Sequence, residues 1–193
     1  MKIPQFFQFI DSFDANLIKN KIKNLGIIYR NYEKSINIEE ITKFKKFCKK
    51  KRIKFYISNN INLALKLKID GVYIPAFNKT SIINKEKLIK NFVILGSAHN
   101  KIEINKKIKQ GCEIIFLAPL FQTNKSKKFL DICKFNLLTL NKKIRFVALG
   151  GINFNNIQKI KLLNVVSVSG IKIFQKKTGP FTGRFFKFSN WFN

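Results

Sequence analysis

Gly150-Gly151-Ile152-Asn153 follows the apolar run Phe146–Leu149 and precedes a segment of helical spacing. Glycine has no Cβ to hold backbone N–H groups away from an anion. A helix that starts next to it adds unbonded N–H groups and a partial positive charge. Gly150 and Gly151 therefore read as one wall of a phosphate site, with a plain left-handed turn as the alternative. Ser169-Gly170, at the end of the next apolar run, is a second wall of the same kind. Thr123-Asn124-Lys125-Ser126-Lys127-Lys128 adds hydroxyls and ammonium groups that suit a lid over a diphosphate. A solvated basic loop is the competing reading there. His99, the only histidine, sits in Gly96-Ser97-Ala98-His99-Asn100 after another apolar run. It is a candidate general acid–base or ligand-orienting group, with local capping as the alternative.

Some chemistries are excluded. Carboxylates are missing from the ends of the apolar runs: only Glu33, Asp70 and Glu113 lie near run termini, and the last two precede their runs. That argues against paired-carboxylate glycoside hydrolysis and against a magnesium site built from the chain's own acids. Cys48, Cys112 and Cys133 are widely spaced, with no CxxC pair and a single His, which excludes a structural zinc site. They read as small buried or half-buried thiols.

The elements that must position these residues alternate along the chain. The apolar runs Ile3–Phe9, Ile27–Arg30, Ile53–Ile57, Gly71–Ile74, Phe92–Leu95, Ile114–Leu117, Phe146–Leu149 and Val165–Val168 have strand length. They are β-branched or aromatic and nearly continuous, as strands buried on both faces are. Lysine-rich segments of helical spacing separate them, among them Ile38–Cys48, Asn60–Lys68, Ile102–Gly111, Phe129–Leu140 and the shorter Ile157–Leu163. Repeated strand–helix units predict a parallel α/β fold. A closed, compact (β/α)8 TIM barrel and an open doubly wound sheet compete, and the count and even spacing of runs favour the barrel. Chemistry in such a barrel sits where strands end, which is where the residues above fall. Residues 1–175 are expected to form the barrel. The aromatic, basic tail, 176–193, is expected to pack under it or to join a homodimer interface.

The chain has 193 residues, 46% of them hydrophobic, and a formal net charge of +28. No apolar run reaches the ~18 residues needed to span a bilayer. The N-terminal stretch, broken by Gln5, Gln8 and Asp11, does not read as a signal peptide, so the expected address is the cytoplasm and no membrane partner is expected. Such charge raises the question of nucleic acid. Yet Lys, Ile, Asn and Phe are inflated together along the whole chain, and Lys is spread over nearly every candidate helix. Nucleic acid is not the expected partner; a phosphorylated small molecule is.

The chain carries, in order, Ser58-Asn59, Leu63-Ala64-Leu65, Asp70-Gly71-Val72-Tyr73, Ser97-Ala98-His99, Ala118-Pro119-Leu120-Phe121-Gln122-Thr123 and Gly150-Gly151-Ile152. Over roughly residues 25–172 these motifs resemble the thiamine phosphate synthase and TenI family. The resemblance implies a barrel that joins a hydroxymethylpyrimidine diphosphate to a thiazole phosphate and releases diphosphate. Carried over by position, Arg30, Ser97 and Lys127 would hold the diphosphate, and Thr123, Ser126, Gly151, Ser169 and Gly170 the thiazole phosphate. Ser58, His99 and Gly150 complete the expected substrate-binding set. The family's cofactor is Mg2+, but its acidic metal-holding positions match Asn59 and Asn78 here, where the amides are neutral. The Gln and Lys that flank the family's Arg match Ile28 and Tyr32, the family's Asn before the first metal position matches Ser58, and the TenI-branch His matches Pro119. Three functional readings follow: a divergent synthase or TenI-like transferase, a non-catalytic or regulatory barrel that binds a phosphorylated ligand, and a polyanion-binding protein.

Overall fold

Strands form where aromatic and β-branched residues run together and their side chains alternate between two buried surfaces. In the computed structural model these are β1 (Phe6–Ile10), β2 (Leu25–Tyr29), β3 (Lys54–Ser58), β4 (Gly71–Ile74), β5 (Val93–Ala98), β6 (Ile114–Leu117), β7 (Arg145–Leu149) and β8 (Ser167–Ser169). The structure describes residues 3–13, 24–32, 37–79, 83, 88–124, 126–153 and 155–170. The expected tail, 176–193, lies outside them. Every strand pairs in parallel with its neighbour, and β8 pairs with β1, so the sheet is a closed barrel and not an open one. No helix among the described residues is long and apolar enough to cross a membrane.

Two layers of core result. Phe7, Phe9, Ile28, Tyr56, Tyr73, Leu95, Phe116 and Val147 point inward and fill the barrel. Their rings meet edge to face: Phe7–Phe116 at 5.0 Å, Phe9–Tyr73 at 5.2 Å and Tyr73–Phe116 at 5.5 Å between centroids. Such pairs add about 0.5–1.5 kcal/mol each beyond the area they bury. The alternate residues, such as Phe6, Ile10, Ile27, Phe55 and Ile57, face outward against the helices.

Helices α1 (Ile38–Lys50), α2 (Ile61–Lys66), α3 (Lys101–Lys109) and α4 (Asp131–Thr139) follow β2, β3, β5 and β6. α1 buries Ile41, Phe44 and Cys48, three of the four residues its spacing puts on one stripe; the fourth, Ile38 in the first turn, is exposed. Asn37, Asn60 and Asn100 cap the first three helices, each side chain accepting from the N–H three residues on. Asparagine, abundant in the sequence, thus supplies the acceptor a helix start needs.

Strand ends shift by one or two residues from the expected runs, as in β2, β3 and β8, and four further features differ. β1 starts at Phe6, not Ile3, because Pro4 has no N–H for a strand ladder. β5 continues through Ser97 and Ala98, which pair with Phe116 and Leu117, so Ser97 is a strand residue and not a turn. The helix expected after β7 is a six-residue 3-10 helix, Ile157–Leu162, preceded by a turn in which the Asn156 and Asn153 side chains accept from the N–H groups of Asn153 and Asn155. Cys133 is exposed, while Cys48 and Cys112 are buried.

Candidate functional site

The inward aromatic layer is the floor of the site. Arg30, one residue past β2, stands on it with its guanidinium carbon 4.9 Å from the centre of the Phe9 ring. Tyr73 packs against the same ring, and its hydroxyl bonds Ser97, which is 6% exposed. Burial pushes the Tyr73 phenol up to about 12, against the opposing pull of the Ser97 hydrogen bond and the Arg30 charge. It is therefore a neutral hydroxyl at neutral pH. Beside these, the Tyr32 hydroxyl lies 2.8 Å from Ser58 Oγ, and the Tyr32 ring meets Phe77 edge-on at 5.5 Å. The strand ends of β2 to β5 thus bring together one guanidinium and several hydroxyls above an apolar floor.

The corner between β3 and β4 is built differently. Asn59 adopts a left-handed backbone, φ 58°, which asparagine tolerates better than most residues. Its N–H bonds the Tyr73 carbonyl at 2.8 Å. Its side-chain oxygen accepts from Asn78 Nδ2 at 2.6 Å, so the two residues expected at the metal positions bond each other. Behind Asn78 lies Lys107, on α3 and 1% exposed. Its ammonium donates to the carbonyls of Pro75 at 2.7 Å and Asn78 at 2.8 Å, and to Gln110 Oε1 at 2.9 Å. Gln110 Nε2 bonds the Asn78 carbonyl as well, at 3.2 Å. Gly96 makes room for this: a Cβ there would meet Cys112 Sγ at 2.6 Å and Lys107 Cδ at 3.1 Å. Two neutral amides bonded to each other, with an ammonium behind them, are a poor donor set for a divalent cation that prefers anionic oxygens. No group of three or more His, Cys, Asp or Glu side chains among the described residues is placed to hold a metal ion. The residues present do not fit Mg2+.

His99 is occupied in a cap. Its Nδ1 and its backbone N–H both lie 2.8 Å from Glu103 Oε2, and Asn100 exchanges bonds with Glu103 around the start of α3. Burial would raise the Glu103 carboxyl, but the bonds from His99 and Asn100 outweigh it and hold the group below its usual value. The structure supports the capping alternative for His99.

The other rim joins the loop after β6 to the turn after β7. Leu120 N–H bonds the Leu149 carbonyl at 2.8 Å, and Phe121 N–H the Gly150 carbonyl at 3.1 Å. Gly150 and Gly151 have φ of 93° and 70°. A Cβ on Gly151 would strike the carbonyl oxygens of Phe121 and Gln122, the latter at 2.6 Å. The two glycines are thus required by the approach of the β6 loop. The Asn156 side chain closes the turn, bonding the Asn153 N–H at 2.8 Å and the Gly151 carbonyl at 2.9 Å. The anion-attracting helix start expected here is reduced to that short 3-10 turn. Thr123 Oγ1 accepts from the Ser126 N–H at 3.1 Å, which leaves the Thr123 proton for a ligand, whereas Ser126 Oγ donates to the Lys128 carbonyl at 2.9 Å. Ser169 Oγ is buried and donates to the Phe7 carbonyl at 2.9 Å, with Gly170 buried beside it. Lys127 is exposed on the loop.

The sequence reading missed Lys107, Gln110 and the hydroxyl role of Tyr73. One signal was present: Lys107 follows Ile104 by three residues, on the stripe that α3 buries.

Residues 15–174 match the family model described as thiamine monophosphate synthase. The thiamine-phosphate synthase of Prochlorococcus marinus subsp. pastoris is 36% identical over 141 residues, which are 70% of this chain and 40% of that protein. The thiamine-phosphate synthase of Pelagibacter ubique is 29% identical over 188 residues, 93% of this chain and 88% of that one. This chain thus spans less than half of the first relative and most of the second. A solved thiamine phosphate pyrophosphorylase from Pyrococcus furiosus superposes with a TM-score of 0.70 over 90% of this chain and 89% of that chain, at 18% identity, a likeness of fold.

Proposed function

The chain belongs to the thiamine monophosphate synthase family, and we propose that it joins a hydroxymethylpyrimidine diphosphate to a thiazole phosphate in thiamin biosynthesis. In the proposed reaction the pyrimidine's exocyclic C–O bond breaks first, diphosphate leaves with the electron pair, and the thiazole nitrogen then bonds the carbocation. Such chemistry needs a cation beside the leaving group and protection of the carbocation from water more than it needs proton transfer. One observation carries the reading: Arg30 stands on Phe9 at the edge of an aromatic floor that also holds the neutral Tyr73–Ser97 hydroxyl pair. The guanidinium would take the leaving diphosphate, with Ser97 and Lys127 as its expected helpers, and the floor would keep water from the cation. Thr123, the glycine turn and Gly170 would hold the thiazole phosphate on the opposite rim, where Ser169 shapes the wall through its bond to Phe7.

Thermal shift with each precursor alone tests this. The pyrimidine diphosphate should stabilise the wild type and lose that effect in Arg30→Ala, while the thiazole phosphate should still stabilise that variant. Stabilisation of the wild type by neither precursor counts against the reading. Stabilisation without turnover favours the non-catalytic alternative.

The polyanion reading has one feature in its favour, at the other end of the barrel. A cleft of about 610 Å³ there is lined by Lys45, Lys49, Arg52, Lys54, Lys68 and Lys90, with Asp70 as its carboxylate. Asp70 is already bonded to Lys54 at 2.6 Å. Steeply salt-dependent binding of random-sequence DNA would support this alternative.

A further inference from the structure

We propose that the β3–β4 corner holds itself together with an amide pair and a buried lysine charge, and so does not recruit a divalent cation at Asn59 and Asn78. The inference deepens the synthase reading, from which the expectation of a metal comes. Asn59 Oδ1 and Asn78 Nδ2 are 2.6 Å apart. Two carboxylates at that separation would repel each other unless a proton or a cation came between them. An amide pair removes the repulsion, because one side chain donates where the other accepts.

Lys107 supplies the second half of the device. Its ammonium is buried, and its acceptors, the Pro75 and Asn78 carbonyls and Gln110 Oε1, are all uncharged. A buried ammonium without a carboxylate partner keeps its charge only if several good acceptors converge on it. Here they belong to the loop that carries Asn78 and to the lysine's own helix. The charge therefore stays where it is, one peptide behind the position a metal would take. A dication at Asn78 would be repelled by it, and the carboxylate that shares the cleft with Asn78, Glu103, is already taken by His99 and Asn100. The same fixed charge favours an anion in front of the loop. Arg30 and Lys107 then provide, on the chain itself, positive charge for a diphosphate that a metal would otherwise bring.

The loop's shape is set independently of any ligand as well. Asn78 N–H bonds the Pro75 carbonyl at 3.1 Å, and Asn59 N–H bonds the Tyr73 carbonyl at 2.8 Å, so both amide-bearing segments are anchored through their backbones. Gly96 keeps open the space through which the Lys107 stem reaches the loop.

Titration of the full chain with Mn2+, read by the electron paramagnetic resonance of the free ion and without substrate, tests the proposal. The wild type should leave the free-ion signal unchanged. The double variant Asn59→Asp with Asn78→Asp should take up manganese saturably, and excess Mg2+ should release it. Wild-type uptake that Asn59→Ala abolishes overturns the proposal; uptake that survives Asn59→Ala lies elsewhere and agrees with it. A double variant that is folded by circular dichroism yet binds no manganese also overturns it, since the corner would then not be a displaced metal position. If the double variant does not fold, Asn78→Asp alone carries the same two outcomes. No thiamin precursor is present, so failure of the synthase reading would leave this result unaffected.

Discussion

Replacing Lys107 by methionine probes the joint between barrel and site. The change keeps most of the stem volume and removes the ammonium. Three charge-assisted hydrogen bonds disappear, each with a net worth of about 1.5–3 kcal/mol in a protein. Their loss is not the net cost, because the burial penalty of an ammonium, several kcal/mol, disappears too. What decides the sign is the fate of the acceptors. The Pro75 carbonyl keeps the Asn78 N–H, and the Asn78 carbonyl keeps Gln110 Nε2. Gln110 Oε1 is left buried without a donor, which costs about 1–3 kcal/mol. The expected destabilisation is therefore about 1–3 kcal/mol. For a domain of this size each kcal/mol lowers the melting temperature by roughly 2–4 °C. Urea denaturation of the wild type, Lys107→Met and the double variant Lys107→Met with Gln110→Leu measures it. The double variant removes the orphaned acceptor but also the Gln110 Nε2 donor to the Asn78 carbonyl, so it should stay close to the single variant. Unchanged or increased stability in Lys107→Met alone would refute the reasoning that this ammonium ties the Asn78 loop to α3.

Three further outcomes follow from particular contacts. Phe116→Ala, which empties the centre of the aromatic floor, should cost about 3–5 kcal/mol in denaturant unfolding. Gly151→Ala should cost about 2 kcal/mol or more, because alanine disfavours φ 70° and its Cβ would press on the Phe121 and Gln122 carbonyls; the same variant should weaken binding of the thiazole phosphate in a thermal-shift titration. Glu103 is held below its usual value in the folded chain, so its bonds stabilise fully above the unfolded value of about 4.3. That contribution is lost as pH falls through the lower folded value, and Glu103→Gln should flatten the acid limb of stability measured against pH.

How far the chain could be read before its structure depended on how local each signal was. Strand runs such as Gly71–Ile74 and Ile114–Leu117 match β4 and β6 end to end, because continuous burial writes itself into consecutive residues. The closure of β8 on β1 followed from the number of runs. Ser97 was legible as a residue but not as an inward strand position, because its pairing with Phe116 is a property of two strands. Ser169 is legible as a residue of the rim, but the bond from its hydroxyl to the Phe7 carbonyl, 162 residues away in sequence, is not. Lys107 was hidden by composition. In a chain with 38 Lys and Arg, one more lysine on a helix reads as solvated. Only the meeting of α3, Gly96 and the Pro75–Asn78 loop buries it.

The joining reaction is tested most directly by product formation by this chain given both phosphorylated precursors, with Mg2+ and with a chelator. Thiamin phosphate and diphosphate are predicted in equal amounts under both conditions, with the rate strongly reduced in Arg30→Ala. Product only with magnesium would contradict the metal-free corner, and no product under either condition, from protein that is folded, would contradict the synthase reading itself.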